Sequence, residues 1–87
     1  MVYELRDDIS LAETEYGIVL LDGADGEYWT LNGTGAVVLR TLLDGGDSEQ
    51  AVKALVREFD ADLDTATADV TQLVTDLTSV RLLKERG

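Results

Sequence analysis

The side chains of this chain that could do chemistry are almost all carboxylates and hydroxyls. Its 87 residues include 18 Asp and Glu, but no His and no Cys. The commonest general base, the commonest metal ligand and the thiolate nucleophile are therefore all missing. Acids and hydroxyls without these partners make a poor catalytic site. We therefore expect no enzyme activity, no catalytic residue, no metal site and no cofactor.

One acidic segment is similar to a calcium-binding loop. Asp22, Asp25 and Glu27 surround Gly26, but the alternating D-x-D-x-D-G spacing is absent and the segment is too short to wrap an ion. Asp and Gly are also the residues that tight turns use. The segment is therefore interpreted as the turn of a hairpin.

The pair Asp47-Ser48 raises a second chemical possibility. Acyl carrier proteins attach a phosphopantetheine to a Ser at a helix start, but they have Leu at the next position, where this chain has Glu49. A helix cap explains the pair without a prosthetic group. A carrier protein stays a distant alternative, which an intact mass would test through a group on Ser48.

The elements that position these residues begin with a predicted antiparallel sheet. Ile9 to Glu13 alternates apolar and polar residues, and Tyr16 to Leu21 is a nearly continuous apolar run, typical of a strand covered on both faces. Glu27 to Leu31 follows the turn and completes a hairpin. This third strand lies at the edge of the meander. Whether Val2 to Leu5 pairs with the sheet stays open.

Two helices are predicted directly after the sheet. The first runs over residues 33–43, with Asn32 as its N-cap and glycines after its end. Asp47 or Ser48 caps the second helix, whose apolar face ends at Phe59.

The third helix completes the predicted fold. It begins near Asp62 or Asp64, whose charge suits the positive end of the helix dipole, and its apolar stripe extends to Val80. Val80 to Leu83 closes the domain, and residues 84–87 are predicted to be a frayed basic tail. The fold class is α+β and winged helix-turn-helix-like, with a three-stranded antiparallel sheet followed by three helices. One domain spans residues 1–87, with its core at about 9–83.

The formal net charge of −11 limits the classes of partner. A field of this sign repels phosphate backbones and anionic lipids. The third helix, which would be a recognition helix, carries Asp64, Asp69 and Asp76 and no base before Arg81. This surface has the wrong sign for nucleic acid. The charge suits a cationic partner, and it is equally typical of an ordinary small acidic protein.

Large aromatic side chains lie on the predicted edge strand. By alternation, Trp29 and Leu31 share one face, and Tyr28 and Thr30 share the other. If one face packs on the helices, the other is partly open or occupied by a partner. Such an edge beside an apolar helix face suits strand addition, in which a guest peptide completes the ladder through main-chain bonds. A plain, protected edge strand is the alternative that these residues leave open.

A resemblance to a known family is carried by one continuous run and by shorter segments after it. The run is Glu27-Tyr28-Trp29-Thr30-Leu31-Asn32-Gly33-Thr34-Gly35-Ala36. The shorter segments are Val38-Leu39, Leu42 to Gly45, Ala68 to Val70, Leu73, Leu77 and Leu82-Leu83. In this order and spacing, from about Ile9 to Leu83, the chain resembles the PqqD-like family of RiPP recognition elements. The run is most similar to the stand-alone members of lasso-peptide biosynthesis.

The resemblance implies a protein without catalysis that binds the leader segment of a ribosomally made precursor peptide in natural-product biosynthesis. It implies that the leader lies as an added antiparallel strand against the third strand, in a cleft walled by the third helix. The bound precursor would be presented to a separate leader peptidase and later to a cyclase. In lasso systems the leader offers a Tyr-x-x-Pro feature and a following Leu to apolar pockets. Carried onto this sequence, the leader-binding residues are Glu27, Tyr28, Trp29, Thr30, Leu31, Asp69, Val70, Leu73, Val74, Asp76 and Leu77.

Three further expectations complete the prediction. Asp69 and Asp76 favour a leader that carries lysines. The chain shows no basic-then-apolar signal segment and no long apolar run, so we expect a cytoplasmic protein without a membrane partner. The main rival function is a winged-helix module that dimerises or docks another protein without recognising a leader.

Overall fold

Eight helices and strands follow one another in the computed structural model of this protein, which describes residues 2–86. They are β1 (Val2–Leu5), β2 (Ile9–Thr14), β3 (Gly17–Asp22), β4 (Tyr28–Leu31), α1 (Gly33–Leu43), α2 (Ser48–Phe59), α3 (Leu63–Ser79) and β5 (Leu83–Arg86). β2, β3 and β4 form an antiparallel sheet with β3 in its centre. The predicted α+β arrangement of three strands followed by three helices is confirmed, and the predicted third strand is β4.

A second, two-stranded sheet joins β1 to β5. The residues Val2 to Leu5 therefore do not extend the three-stranded sheet. The prediction of a frayed tail after Leu83 is wrong over Lys84 to Arg86, which are paired strand residues; residue 87 lies outside the described range. Across the pair, the carboxylate of Glu4 forms salt bridges with Lys84 at 3.3 Å and with Arg86 at 3.4 Å. Charged side chains are depleted in strands, so only the pairing with β1 reveals this one.

The core lies between the three helices and one face of the three-stranded sheet. α1 packs on β1, β3 and β4, and α2 joins α1 to α3. Ile18 and Leu20 of β3 are fully buried on this inner face, whereas Leu21 on the opposite face is 44% exposed. The prediction that β3 is covered on both faces is therefore wrong for the described chain. Phe59 and Val80, which were assigned to apolar helix stripes, are also exposed because the last turns of their helices extend past the core.

The start of α2 is fixed by a reciprocal capping box. The Asp47 carboxylate accepts a hydrogen bond from the Gln50 backbone N–H at 2.9 Å, and the Gln50 side-chain oxygen accepts one from the Asp47 N–H at 2.9 Å. Two backbone donors that the helix itself leaves unpaired are thereby satisfied. Asp47, rather than Ser48, is therefore the N-cap, as one of the two predicted alternatives.

Asp47→Ala is expected to lower the free energy of unfolding by about 1 kcal/mol, because both cap bonds are lost. For a domain of this size that corresponds to a fall in Tm of about 4–8 °C. Thermal denaturation followed by circular dichroism measures the change. Ser48→Ala is the matched control, one residue along and outside the capping box, and its Tm should stay close to that of the wild type. Equal Tm values for Asp47→Ala and the wild type would contradict a stabilising cap.

The described helices and acidic side chains show two further features. None of the helices within residues 2–86 combines the length and the apolar composition needed to cross a membrane. Across the same residues, no three acidic side chains come together as a group that could hold a metal ion.

Candidate functional site

β4 leaves one edge of the three-stranded sheet open. Within residues 2–86 it pairs with β3 alone, so its other edge carries backbone donors and acceptors without a neighbouring strand. The ladder between the two strands begins with Asp22, whose N–H donates to the Glu27 carbonyl at 2.8 Å. Glu27 itself precedes the strand and is exposed.

The register decides which main-chain groups face the open edge. In an antiparallel pair, directly opposite residues alternate between those that exchange hydrogen bonds and those that do not. Counting from the Glu27 bond, Trp29 opposite Leu20 and Leu31 opposite Ile18 bond to β3. The N–H and C=O groups of Tyr28 and Thr30 therefore point away from β3, to the open edge.

The side chains of β4 alternate as predicted. Trp29 and Leu31 are half-buried and pack against the core on the inner face, while Tyr28 and Thr30 are exposed on the outer face. The close contact of β3 with the end of β4 requires a glycine, since a Cβ on Gly17 would lie 1.9 Å from the Leu31 carbonyl oxygen. Gly17 also has φ +148°, which other residues rarely adopt.

A groove of about 310 Å³ opens where β4 passes into α1, between the start of α1 and one face of α3. Its walls are formed by Asn32, Thr34, Gly35, Val38, Leu55, Asp69, Gln72, Leu73 and Asp76. Three predicted residues, Asp69, Leu73 and Asp76, are thus brought together on one face of α3, at the helical spacing i, i+4, i+7. The open edge of β4 and the groove are continuous through Asn32, the residue that joins them.

The α3 wall of the groove combines an apolar centre with two carboxylates. Leu73 is half-buried and lies between Asp69 and Asp76, both of which are exposed. Gln72 donates its side-chain N–H to Asp76 at 2.8 Å. Neither aspartate forms a salt bridge with a Lys or Arg in the described chain. The groove therefore suits an apolar side chain accompanied by a positive charge.

Three of the predicted α3 residues do not line this groove. Val70 and Leu77 are buried in the core, so they support the wall from behind and do not expose a side chain to it. Val74 lines a separate cavity, together with Tyr3 and Glu85. The reason is the helix period, because positions 70, 74 and 77 lie one residue beyond positions 69, 73 and 76 and so face about 100° away.

The opposite wall was not predicted as part of a site. Asn32 accepts hydrogen bonds from the Gly35 N–H at 3.1 Å and from the Thr34 hydroxyl at 2.9 Å. A Cβ on Gly35 would lie 3.3 Å from the Leu31 Cβ, so the small residue allows the helix to start close to the strand. These residues belong to the run that carries the family resemblance, where Asn32 was interpreted only as a helix cap. Its position as a wall of the groove follows from the packing of α1 beside α3.

Comparison with known proteins identifies the family. The model of the family described as coenzyme PQQ synthesis protein D (PqqD) matches residues 17–83. The chain belongs to the PqqD family, and the predicted resemblance is confirmed. The sequence matches no curated protein.

Two solved structures are similar to this chain over nearly its whole length. One is described as lasso peptide synthetase B1 complexed with the leader peptide; it is 39% identical, with a TM-score of 0.89, and the match covers 98% of this chain and 100% of that chain. The other is TbiB1 in complex with the TbiA(beta) leader peptide, which is 25% identical, with a TM-score of 0.84 and coverage of 97% and 98%. Both relatives are therefore described in complex with a leader peptide.

Proposed function

We propose that this protein binds the leader segment of a ribosomally synthesised precursor peptide of the lasso type and has no catalytic activity of its own. The observation that carries the proposal is the open β4 edge beside a groove, in a chain 39% identical to a protein described in complex with a leader peptide. The absence of His and Cys from the sequence supports a binding role rather than catalysis. No comparable observation favours a dimerisation module without leader recognition.

In the proposed complex the leader adds to the sheet as a strand antiparallel to β4. The main-chain groups of Tyr28 and Thr30 pair with it, because they are the ones that point to the open edge. Leader side chains alternate across the added strand, so every second one enters the groove against Leu73. Main-chain pairing supplies affinity, and the groove supplies register and specificity. Glu27, Trp29 and Leu31 flank or support this strand site.

Presentation of the bound precursor is the second part of the proposal. A leader held on the edge of one small domain leaves the rest of the precursor free to enter another protein. We assign this protein to the cytoplasm, as the single domain that holds the precursor for a separate leader peptidase and then for a cyclase. The inner face and the groove hold the leader, so the opposite side of the sheet stays accessible to those enzymes.

A fluorescence-polarisation titration tests leader binding. The probe is a labelled synthetic leader from the precursor encoded beside this protein, and a scrambled leader of the same composition is the control. We expect saturable binding of the leader, with loss of affinity when its Tyr or Pro is replaced by Ala. Equal affinity for the leader and the scrambled peptide would contradict the proposed function.

The two groove carboxylates give a prediction about charge. For a leader that carries lysines, the double variant Asp69→Asn/Asp76→Asn should bind about two- to tenfold more weakly, because exposed ion pairs contribute about 0.2–1 kcal/mol each. Raising the salt concentration should slow association of the wild type more than that of the variant. Stopped-flow measurement of both rates provides the test. Asp64→Asn, on α3 but outside the groove, is the matched control; salt dependence that is identical in all three proteins would exclude steering by these aspartates.

A further inference from the structure

The outer face of the three-stranded sheet is the largest apolar feature that the leader site does not use. Opposite residues of an antiparallel pair share a face, which places Ala12, Val19, Leu21, Tyr28 and Thr30 together on it. Leu21 is 44% exposed and its cross-strand partner Tyr28 is 68% exposed. No helix or strand within residues 2–86 covers these side chains, because α1 packs on the inner face.

This face has the composition of a covered surface. Antiparallel sheets with one solvated face normally alternate apolar and polar residues along each strand. β3 instead presents Ile18 and Leu20 to the core and Val19 and Leu21 to the outside, so its pattern is that of a strand buried on both sides. A contiguous exposed patch of this kind marks an interaction site.

The charges around the patch select the partner. Residues 7–39 contain seven Asp and Glu and no Lys or Arg. Glu15 lies at one end of the sheet, and Asp25 and Glu27 lie at the other, all exposed. A second copy of the chain would bring like charges together across the patch, which is unfavourable. A protein whose apolar surface is framed by Lys and Arg is complementary to it.

The outer face is continuous with the proposed leader site. Tyr28 belongs to both, since its side chain lies on the outer face while its main chain points to the open edge. A leader added at that edge would place every second side chain beside Tyr28 and so extend the same surface. A partner that binds there would contact the protein and the bound leader together.

We infer that the outer face is the docking surface for the leader peptidase, through an apolar patch of that enzyme framed by basic residues. The inference rests on the proposed function, because it takes its partner from the presentation step. It assigns a role to Val19 and Leu21, which neither the fold nor the leader site requires to be apolar. It also explains how an enzyme can select the loaded protein over a free leader.

The test uses the purified peptidase encoded beside this protein, immobilised for biolayer interferometry. Leu21→Glu should weaken binding of the leader-loaded protein to the peptidase by about tenfold or more, because it places a charge in an apolar contact. Leu63→Glu is the matched control, since Leu63 is 63% exposed at the start of α3, away from the sheet. The leader affinity of both variants, measured by fluorescence polarisation, should equal that of the wild type, which also shows that they are folded. Leu21→Ser should give a smaller loss of peptidase binding.

Three results would overturn the inference. The first is unchanged peptidase affinity in Leu21→Glu, and the second is a wild type that binds the leader but not the peptidase. The third is a dimer in sedimentation that Leu21→Glu dissolves, which would assign the face to a second copy. Failure of the wild type to bind any leader would instead overturn the proposed function, and the separate titration detects it.

Discussion

Thr30→Pro is expected to weaken leader binding by about tenfold or more while leaving the protein folded. The Thr30 N–H points to the open edge of β4, so proline removes a donor that only the leader would use. The matching carbonyl of the leader would then be buried without a partner, which costs about 1–3 kcal/mol. Proline is tolerated in edge strands at positions of this kind, and Trp29 before it is already extended.

Thr30→Val is the control for the lost side chain. Thr30 lies on the outer face, so a change of its side chain alone should leave the affinity for the leader nearly unchanged. Fluorescence polarisation compares the two variants, and thermal denaturation confirms that both are folded. Wild-type affinity in a folded Thr30→Pro protein would exclude main-chain pairing at this residue.

Leu73→Asp is expected to weaken leader binding by about thirtyfold or more. Leu73 forms the apolar centre of the groove, and burying such a side chain against the leader contributes about 1.5–3 kcal/mol. The new carboxylate also loses hydration when the leader covers it. An added attraction to a leader lysine would offset only about 0.2–1 kcal/mol, so the net effect is a loss.

The control for this substitution lies on the same helix. Leu63→Asp introduces the same charge at an exposed position outside the groove and should bind the leader like the wild type. Circular dichroism establishes that each variant is folded, and the neutral truncation Leu73→Ala provides a second variant with a smaller expected loss. A folded Leu73→Asp protein with unchanged affinity would remove Leu73 from the site.

The parts of the fold with local signals were predicted well from the sequence. α1 spans Gly33–Leu43 as expected, because Asn32 caps its start and glycines follow its end. The alternation along β4 was also correct, since a period of two assigns each side chain to a face. The pairing of β1 with β5 was missed because the residues Lys84 to Arg86 carry no strand pattern. That strand exists through a contact between distant parts of the chain.

The candidate site was predicted in part for a related reason. The period of α3 identifies its apolar residues, but several of them lie on neighbouring stripes, and the sequence does not say which stripe meets the core. The packing places Val70 inside and leaves Leu73 in the groove. The wall formed by Asn32 and Gly35 depends on how α1 meets α3, which no local pattern encodes.

The most direct test of the account is amide hydrogen exchange by NMR, on the protein alone and saturated with the leader. In the free protein, Trp29 and Leu31 should be protected by their bonds to β3, whereas Tyr28 and Thr30 should exchange rapidly. The account predicts that the leader protects the Tyr28 and Thr30 amides and leaves the other two as they were. Leader binding that leaves both the Tyr28 and the Thr30 amide in rapid exchange would contradict strand addition at β4.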